Sequence, residues 1–258
     1  MPVTAFPRFY CLATSAVLLA TVLLPHGAAA QAPVGPAYTG PRYPGGPDSL
    51  RAVVRRELHS ANPAWTAPVF VRLELTDTGA PAKGNFLVPP AGTPAATLVR
   101  NREVQALVQQ LVQHQPRWQP GSATTPGQQP RNAPTLLLPF GAPPEAVPLA
   151  YSDELPTFPI PGGQMGNTLA SVATYVNRAV LYPAADLRTR REGTVYAYFE
   201  VSETGAIEHP QIVGSVSPSL DAEVLRVLKQ LPAARTPPML QGRPVRVYYV
   251  LPSNFRIQ

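Results

Sequence analysis

The pattern of apolar and polar positions is most regular in the last third of the chain. Four apolar residues within residues 168–178 recur at spacings of three and four, which predicts a helix. Apolar and polar side chains alternate over residues 194–201, as in a half-buried strand. A second strand at 210–216, a second helix at 220–231 and a third strand at 245–251 follow. This order predicts an α+β domain.

The short connection after the first predicted strand constrains the sheet. Residues 202–205 form a turn that ends in glycine, so the first two strands should pair antiparallel. The order 2-1-3 makes every neighbouring pair antiparallel and leaves the third strand at an edge. The rival order 1-2-3 would mix parallel and antiparallel pairs in a very small sheet. We therefore predict a small antiparallel three-stranded sheet packed by two helices.

An earlier block carries a degraded version of the same pattern. Residues 69–80 match residues 195–206 in polarity at almost every position, and five of the residues are identical. An amphipathic helix precedes this segment, and a closing strand follows it. We predict two tandem copies of the fold, at 48–140 and 166–258. Chance resemblance between two amphipathic blocks is the alternative.

Proline is unusually frequent in this chain, with 34 among 258 residues. Such a share argues against one large core and favours small domains separated by extended segments. Two Pro-rich stretches without hydrophobic periodicity precede the two blocks, which predicts a tether at 31–47 and a linker at 141–165. The linker would join the two tandem copies.

Residues 1–30 have the composition of an export signal. Arg8 provides a positive charge, an apolar run of about 13 uncharged residues follows, and three alanines end the segment. We predict a signal peptide that is cleaved before Gln31, and a periplasmic location. An uncleaved inner-membrane anchor facing the periplasm is the alternative, although the apolar run is shorter than the roughly 20 residues that span a bilayer.

The sequence indicates no catalytic or metal chemistry. The only cysteine, Cys11, lies in the predicted signal peptide, so the exported chain has no thiol for a disulfide, a zinc site or a nucleophile. His59, His114 and His209 stand alone rather than in a metal-binding spacing. No nucleophile elbow or phosphate-binding loop is present, and the basic residues are scattered. We predict no enzyme activity, no metal, no cofactor, no small-molecule substrate and no nucleic-acid partner.

An ordered set of short motifs connects the last third of the chain to a known family. In chain order the motif residues are Tyr182, Pro183, Gly193, Gly205, Leu220, Asp221 and Phe255. Together they resemble the TonB C-terminal domain family. The resemblance implies a structural role for these residues. It also implies a periplasmic domain that engages TonB-dependent outer-membrane receptors or other envelope proteins, commonly by pairing a sheet edge with an extended peptide.

The third predicted strand is the candidate partner-binding edge. An edge strand leaves unpaired backbone donors and acceptors, so an incoming peptide can extend the sheet with little dependence on its sequence. The residues of this strand are Val245, Arg246, Val247, Tyr248, Tyr249, Val250 and Leu251. Tyr196 and Tyr198 form a second candidate contact face, away from the helices. The alternative is an edge already paired, with the other copy or with a second chain in a homodimer.

Departures from the family pattern leave other functions open. A TonB energy transducer has an uncleaved transmembrane helix and a long Pro-rich spacer, whereas this apolar run ends in a cleavage-like site and the Pro-rich stretches are short. If residues 1–30 are retained, the chain is instead a membrane-anchored energy transducer. An envelope enzyme or a peptidoglycan-binding module, with a site assembled from loops, is the remaining alternative.

Overall fold

The computed structural model describes a defined set of residues. These are 35–59, 68–88, 90, 92, 105–106, 108–109, 112–113, 115–122, 134–139, 146–159 and 169–257. The predicted signal peptide lies outside them, as do several parts of the first block. From Ala32 onward the chain groups into one compact unit. Across the described residues, no helix is both long enough and apolar enough to span a bilayer.

The described residues form four helices and eight strands. The helices are α1 (Gly46–His59), α2 (Leu169–Ala179), α3 (Ala184–Arg188) and α4 (Pro218–Leu228). The strands are β1 (Val69–Leu75), β2 (Pro81–Phe86), β3 (Thr135–Leu138), β4 (Gly193–Val201), β5 (Ile207–Gly214), β6 (Met239–Leu240), β7 (Arg243–Pro244) and β8 (Val247–Phe255). Residues 105–106, 108–109 and 112–113 are also helical.

Strands β4, β5 and β8 form the C-terminal sheet. Its order is β5-β4-β8 with both pairs antiparallel, so the predicted 2-1-3 arrangement is confirmed. Helices α2 and α4 cover one face of this sheet. Helix α4 begins at a local signal: the Ser217 hydroxyl accepts a hydrogen bond from the Leu220 N–H at 3.2 Å, and Pro218 occupies the first helical position.

Every second residue of β4 points into the core beneath the two helices, as the period of a strand requires. Val195, Ala197, Phe199 and Val201 are all fully buried there. They pack against Val172 and Val176 of α2 and against Leu220, Val224, Val227 and Leu228 of α4. Burying a side chain of this kind stabilises the fold by about 1.5–3 kcal/mol. This core holds β4 and β8 in the register that positions the candidate edge.

Strands β5 and β8 differ at both ends from the sequence expectation: β5 ends at Gly214 rather than at residue 216, and β8 begins at Val247 rather than at Val245. Strand β5 begins before residue 210 and contains Pro210, and β8 continues past Leu251 to Phe255. The pattern predicts Pro252 as a strand end, but here it pairs with Tyr196 inside the ladder. A strand tolerates proline where the missing N–H would face away from the neighbouring strand. The edge strand is therefore four residues longer at its C-terminal end than predicted.

The N-terminal block contains a second sheet of the order β2-β1-β3, again with antiparallel pairs. Helix α1 packs on one face of it through Leu50 and Val54. The helical residues Val108 and Val112 join the same core, which also contains Val71 and Leu73 of β1. The described part of this block thus places apolar helical residues on one face of a three-stranded sheet.

The two sheets face each other on the sides that their helices leave uncovered. The ring of Phe70 in β1 lies 5.1 Å from the ring of Tyr198 in β4, in an edge-to-face arrangement. The Tyr248 hydroxyl accepts from the Leu137 N–H at 3.1 Å and donates to the Thr135 carbonyl at 3.0 Å. The layers are therefore helix, sheet, sheet, helix.

The turns after β1 and β4 share one hydrogen-bond pattern. In the first turn the Thr76 N–H donates to the Ala80 carbonyl, and the Thr76 hydroxyl accepts from the Ala80 N–H. Ser202 makes the same two hydrogen bonds with Ala206 in the second turn. Gly79 and Gly205 adopt positive φ values of 78° and 84°, a conformation that glycine reaches without steric cost. Their carbonyls accept from Trp118 and Ala234 at 2.8 Å in each case.

The described parts of the predicted tether and linker are packed rather than extended. Tyr43 is buried in the N-terminal core and Phe158 in the C-terminal core. The residue before each aromatic ring anchors the segment through two backbone hydrogen bonds: Arg42 bonds Gln119, and Thr157 bonds residues 235–236. Burial of one large ring per segment gives each Pro-rich stretch a fixed place.

Candidate functional site

The outer edge of β8 can be read from its hydrogen-bond register. The Tyr248 N–H donates to the Leu149 carbonyl at 3.1 Å, and Leu149 lies on the side of β8 opposite to β4. Since the β4–β8 ladder has no register shift, the N–H groups of Val250 and Asn254 point outward as well. The N–H groups of Val247 and Tyr249 point inward, toward β4.

Part of this edge is occupied by the chain itself. Leu149 forms a parallel bridge with Val247, and its N–H donates to the Arg246 carbonyl at 2.9 Å. Its side chain is buried in the core beneath the helices. Residues 246–248 are therefore already paired on their outer side, in the N-terminal half of the predicted site.

Beyond Leu149 the edge is open within the described part of the chain. No described residue bonds to the outward N–H of Val250 or Asn254. Pro252 lies between them and has no N–H to offer. The unpaired edge thus presents two donors separated by a proline, a pattern that also limits uncontrolled edge pairing.

The predicted edge residues divide between the two faces of the sheet. Val247, Tyr249 and Leu251 are buried on the helical side. Tyr248 and the half-buried Val250 face the N-terminal sheet. Val245, which precedes β8, is half-buried and packs at the margin of the core. Arg246 is also half-buried and pairs with Glu200 and Glu208. A partner strand at this site would consequently contact backbone more than side chains.

The tyrosine face of β4 is covered by the first block. Tyr198 lies against Phe70, and the Tyr196 hydroxyl accepts from Arg72 Nη1 at 2.8 Å. Burial and a hydrogen bond to the Glu200 carboxylate raise the pKa of Tyr198 above its ordinary range. The structure therefore places Tyr196 and Tyr198 in a contact within the chain.

Apart from Gly205, which lies in the turn after β4, the motif residues lie around the end of β8 and the start of α4. The Tyr182 ring packs edge-on against Phe255 at 5.4 Å, and Pro183 caps α3. Gly193 pairs with Phe255 at the start of β4. Leu220 is buried in the core. These contacts fix the C-terminal end of the open edge.

Asp221 has the helix-terminal position that the sequence predicts, in the first turn of α4. Its carboxylate accepts from the Ser215 hydroxyl. Burial raises the pKa of Asp221, while the bonds from Ser215 and the Val216 backbone act in the opposite direction. The carboxylate joins the end of β5 to α4 and lies near the positive end of the helix dipole.

Residues 178–257 match the family described as Gram-negative bacterial TonB protein C-terminal. The C-terminal domain belongs to the TonB C-terminal family. This family consists of non-catalytic protein-interaction domains that are periplasmic or envelope-associated, so the domain is a protein-interaction module of the TonB type.

Two further comparisons add little. The NMR structure of the Helicobacter pylori TonB C-terminal domain matches with 17% identity, covering 34% of this chain and 90% of that one, at a TM-score of 0.27. No curated protein matches the chain.

One acidic cluster of the TonB C-terminal domain has ligand-like geometry. Glu200, Glu208 and His209 place potential ligand atoms within 4.8 Å of one another. Arg246 lies among them, with Nη1 at 3.3 Å from Glu200 and Nη2 at 2.9 Å from Glu208. The guanidinium already supplies the positive charge that these carboxylates require, so the arrangement is an ion-pair network.

A cavity of about 620 Å³ lies between the first block and the β6–β7 hairpin. Arg42 and Asp153 at its wall form an ion pair at 2.8 Å, and the rings of Trp118 and Tyr151 are buried. The charged groups of this pair are therefore satisfied by each other, and the two rings expose little surface to a ligand.

Two determinants of the open edge were not found from the sequence. Leu149 lies about a hundred positions from Val247 in a segment without periodicity, so no pattern signals their pairing. Pro252 could have been recognised from the sequence. A proline inside an otherwise apolar strand indicates an edge strand, and every second residue counted from the proline has its N–H on the outer side.

Proposed function

We propose that the TonB C-terminal domain binds outer-membrane transporters or other envelope proteins by accepting an extended segment of the partner at the outer edge of β8, as part of transmembrane transport. The observation that carries this proposal is the pair of outward N–H groups at Val250 and Asn254, which no described residue bonds. An added strand would satisfy them and extend the sheet beyond β8.

The neighbouring contacts define where such a strand would lie. Leu149 closes the edge at residues 246–248, so the partner strand would start after it and run along residues 250–254. Leu251 and Phe255 are buried in the core beneath the helices, which anchors both ends of this stretch. Main-chain bonds would supply most of the affinity because few side chains of β8 reach the edge.

A matched pair of substitutions tests the proposal. Asn254→Pro removes an outward donor, whereas Asn254→Ala keeps it; both variants lose the Asn254 side chain, whose oxygen accepts from the Thr194 hydroxyl at 2.7 Å. We expect the proline variant to lose the outer-membrane receptors that the unaltered protein recovers from a Gram-negative envelope extract, and the alanine variant to retain them. Thermal melting of each variant checks that the domain is folded.

Val250→Pro and Val250→Ala repeat the comparison at the other donor. Val247→Pro is a different control, since the Val247 N–H faces β4 and proline there should unfold the sheet. Undiminished recovery of receptors by both folded proline variants would exclude strand addition at this edge.

We also propose that the chain is exported and cleaved before Gln31, which gives a periplasmic protein rather than an anchored transducer. The composition of residues 1–30 supports this proposal. Mass spectrometry of the native protein tests it directly. A mature chain that begins at Gln31 is the expected result, and an intact chain that begins at Met1 or Pro2 would establish the anchored form.

The first block is, in our proposal, a degenerate copy of the TonB C-terminal domain that covers its tyrosine face. The shared β2-β1-β3 and β5-β4-β8 orders support this, as do the equivalent bonds of the Gly79 and Gly205 turns. In this proposal the first block shields two tyrosines of the C-terminal sheet from other partners. Phe70 packs on Tyr198, and the Leu137 N–H donates to the Tyr248 hydroxyl.

A further inference from the structure

A second surface of the C-terminal domain lies at the end of β8, around the loop that contains α3. The Tyr182 ring packs on Phe255, and the Ile257 N–H donates to the Glu192 carboxylate at 2.7 Å. These contacts bring the loop and the C-terminal residues of the chain together. We call the resulting patch the arginine surface; it comprises Leu181, Leu187, Arg188, Arg190, Arg256 and Ile257.

The arginine surface concentrates exposed apolar side chains. Among the described residues, four large apolar side chains are exposed, and three of them, Leu181, Leu187 and Ile257, lie here. Leu181 is 69% exposed and Leu187 is 44% exposed. Single exposed apolar residues are ordinary on a protein surface, but clustering of most of them in one patch indicates an interaction site.

The same surface carries uncompensated positive charge. Arg188, Arg190 and Arg256 are exposed, and within the described part of the chain no carboxylate lies at ion-pair distance from them. Two carboxylates lie nearby: Asp186 is buried, accepts from the Ser219 hydroxyl and pairs with Arg191 at 3.9 Å, and Glu192 accepts from the Ile257 N–H at the margin of the patch, so the three arginines outnumber the one exposed carboxylate. The patch would therefore attract anions.

Local hydrogen bonds hold the backbone that carries these side chains. The Tyr182 hydroxyl donates to the Arg191 carbonyl, and the Arg191 N–H donates to the Asp186 carbonyl at 2.9 Å. The Leu181 N–H donates to the Glu223 carboxylate at 2.8 Å. The leucines and arginines are thus presented on a backbone that is tied to the folded domain.

We propose that the arginine surface contacts a membrane that carries anionic phospholipid headgroups, with the arginines at the phosphates and the three apolar side chains in the interface. Apolar side chains flanked by basic ones are the combination that interfacial membrane binding uses. A purely acidic protein segment would satisfy the arginines but would leave Leu181, Leu187 and Ile257 exposed to water. This surface adjoins the open edge of β8 near Asn254, but it uses side chains, whereas the edge uses backbone N–H groups.

Vesicle sedimentation tests the proposal, with the chain from Gln31 onward so that residues 1–30 cannot insert. We expect binding to phosphatidylcholine vesicles that contain phosphatidylglycerol and none to phosphatidylcholine alone. The double variant Arg188→Gln, Arg190→Gln should bind about 25-fold more weakly, since each arginine near an anionic surface contributes about fivefold. Leu187→Ser should also weaken binding, and this loss should persist at high salt.

The control is the double variant Arg55→Gln, Arg56→Gln on α1, which removes the same charge from the N-terminal block; Arg56 pairs there with Glu57 at 3.2 Å. It should bind vesicles as the unaltered protein does, apart from a small loss of long-range attraction. Equal losses in the two double variants would overturn the proposal, because general charge would then explain the binding. Binding to polyglutamate without binding to the anionic vesicles would overturn it in favour of an acidic protein partner.

Discussion

The N-terminal and C-terminal sheets share a strand order but differ in size. Strands β4 and β8 have nine residues each, whereas β1 has seven and β3 has four. The C-terminal core includes many side chains with no exposed area, while most of those in the N-terminal core retain a few per cent. The longer β8 continues past the Leu149 contact and so retains an open edge.

This difference shows how two sheets with the same strand order can have different functions in one chain. In the C-terminal sheet the length of β8 leaves an open edge, which we propose as the partner site, and in the N-terminal sheet the uncovered face packs on Tyr198 and Tyr248. The first block also lacks the Tyr-Pro and Leu-Asp motifs that define the family resemblance. We therefore propose that it supports the C-terminal domain rather than binding a partner of its own.

The largest expected effect concerns the aromatic ring that each Pro-rich segment buries. Phe158→Ala should lower the free energy of unfolding by about 3–5 kcal/mol, because the ring is fully buried in the larger core. Tyr43→Ala should cost less, since Tyr43 lies in the smaller core and keeps 6% of its area exposed. Denaturant unfolding of both variants measures the difference. A cost under about 1 kcal/mol for Phe158→Ala would mean that the segment is a linker after all.

The two turn glycines test the equivalence of the two sheets. An added Cβ at Gly79 would lie 1.8 Å from the Trp118 carbonyl oxygen, and one at Gly205 would lie 2.7 Å from that of Ala234. Gly205→Ala should destabilise the chain by about 1–2 kcal/mol through its positive φ alone. Gly79→Ala should cost more because the clash is closer. Thermal unfolding decides the order, and no loss at either position would contradict the proposed common turn.

The contact between the sheets should have a smaller effect. Tyr248→Phe removes the hydroxyl that bonds the backbone of β3, and we expect a loss of about 1–2 kcal/mol in unfolding free energy. Tyr182→Phe is a matched control, since its hydroxyl bonds an exposed carbonyl and should matter less. Equal losses in urea denaturation would argue against a specific contact between the two sheets.

The smallest expected effect depends on pH. The Arg226 guanidinium lowers the pKa of Glu223 below its ordinary value of 4.5. A lowered folded-state pKa adds stability above the unfolded pKa, and that stability is lost as the pH falls through the folded value. The stability difference between the unaltered protein and Glu223→Gln should therefore be present at neutral pH, begin to fall near pH 4.5 and vanish once the pH is below the lowered pKa of the folded state. A difference that persists there would assign the effect to packing.

The sequence predicted the C-terminal sheet because each of its determinants is local. The alternation in β4, the turn at Gly205 and the spacing in α4 all arise within short windows, and together they leave few topologies. The candidate edge followed from that order. The sequence did not predict that residues 246–248 of this edge are already paired, because Leu149 is distant in sequence and lies in a segment without hydrophobic periodicity. The cover over Tyr198 was missed for the same reason, since periodicity says which face is apolar but not what packs on it.

Hydrogen exchange of the β8 amides measures whether the outer edge of this strand is open. We expect slow exchange at Tyr248, whose N–H bonds Leu149, and fast exchange at Val250 and Asn254, whose N–H groups face outward without a described partner. Addition of a peptide from a bound receptor should then slow both. Protection of Val250 and Asn254 comparable to that of Tyr248 in the unbound protein would contradict an open edge, and with it strand addition at this site.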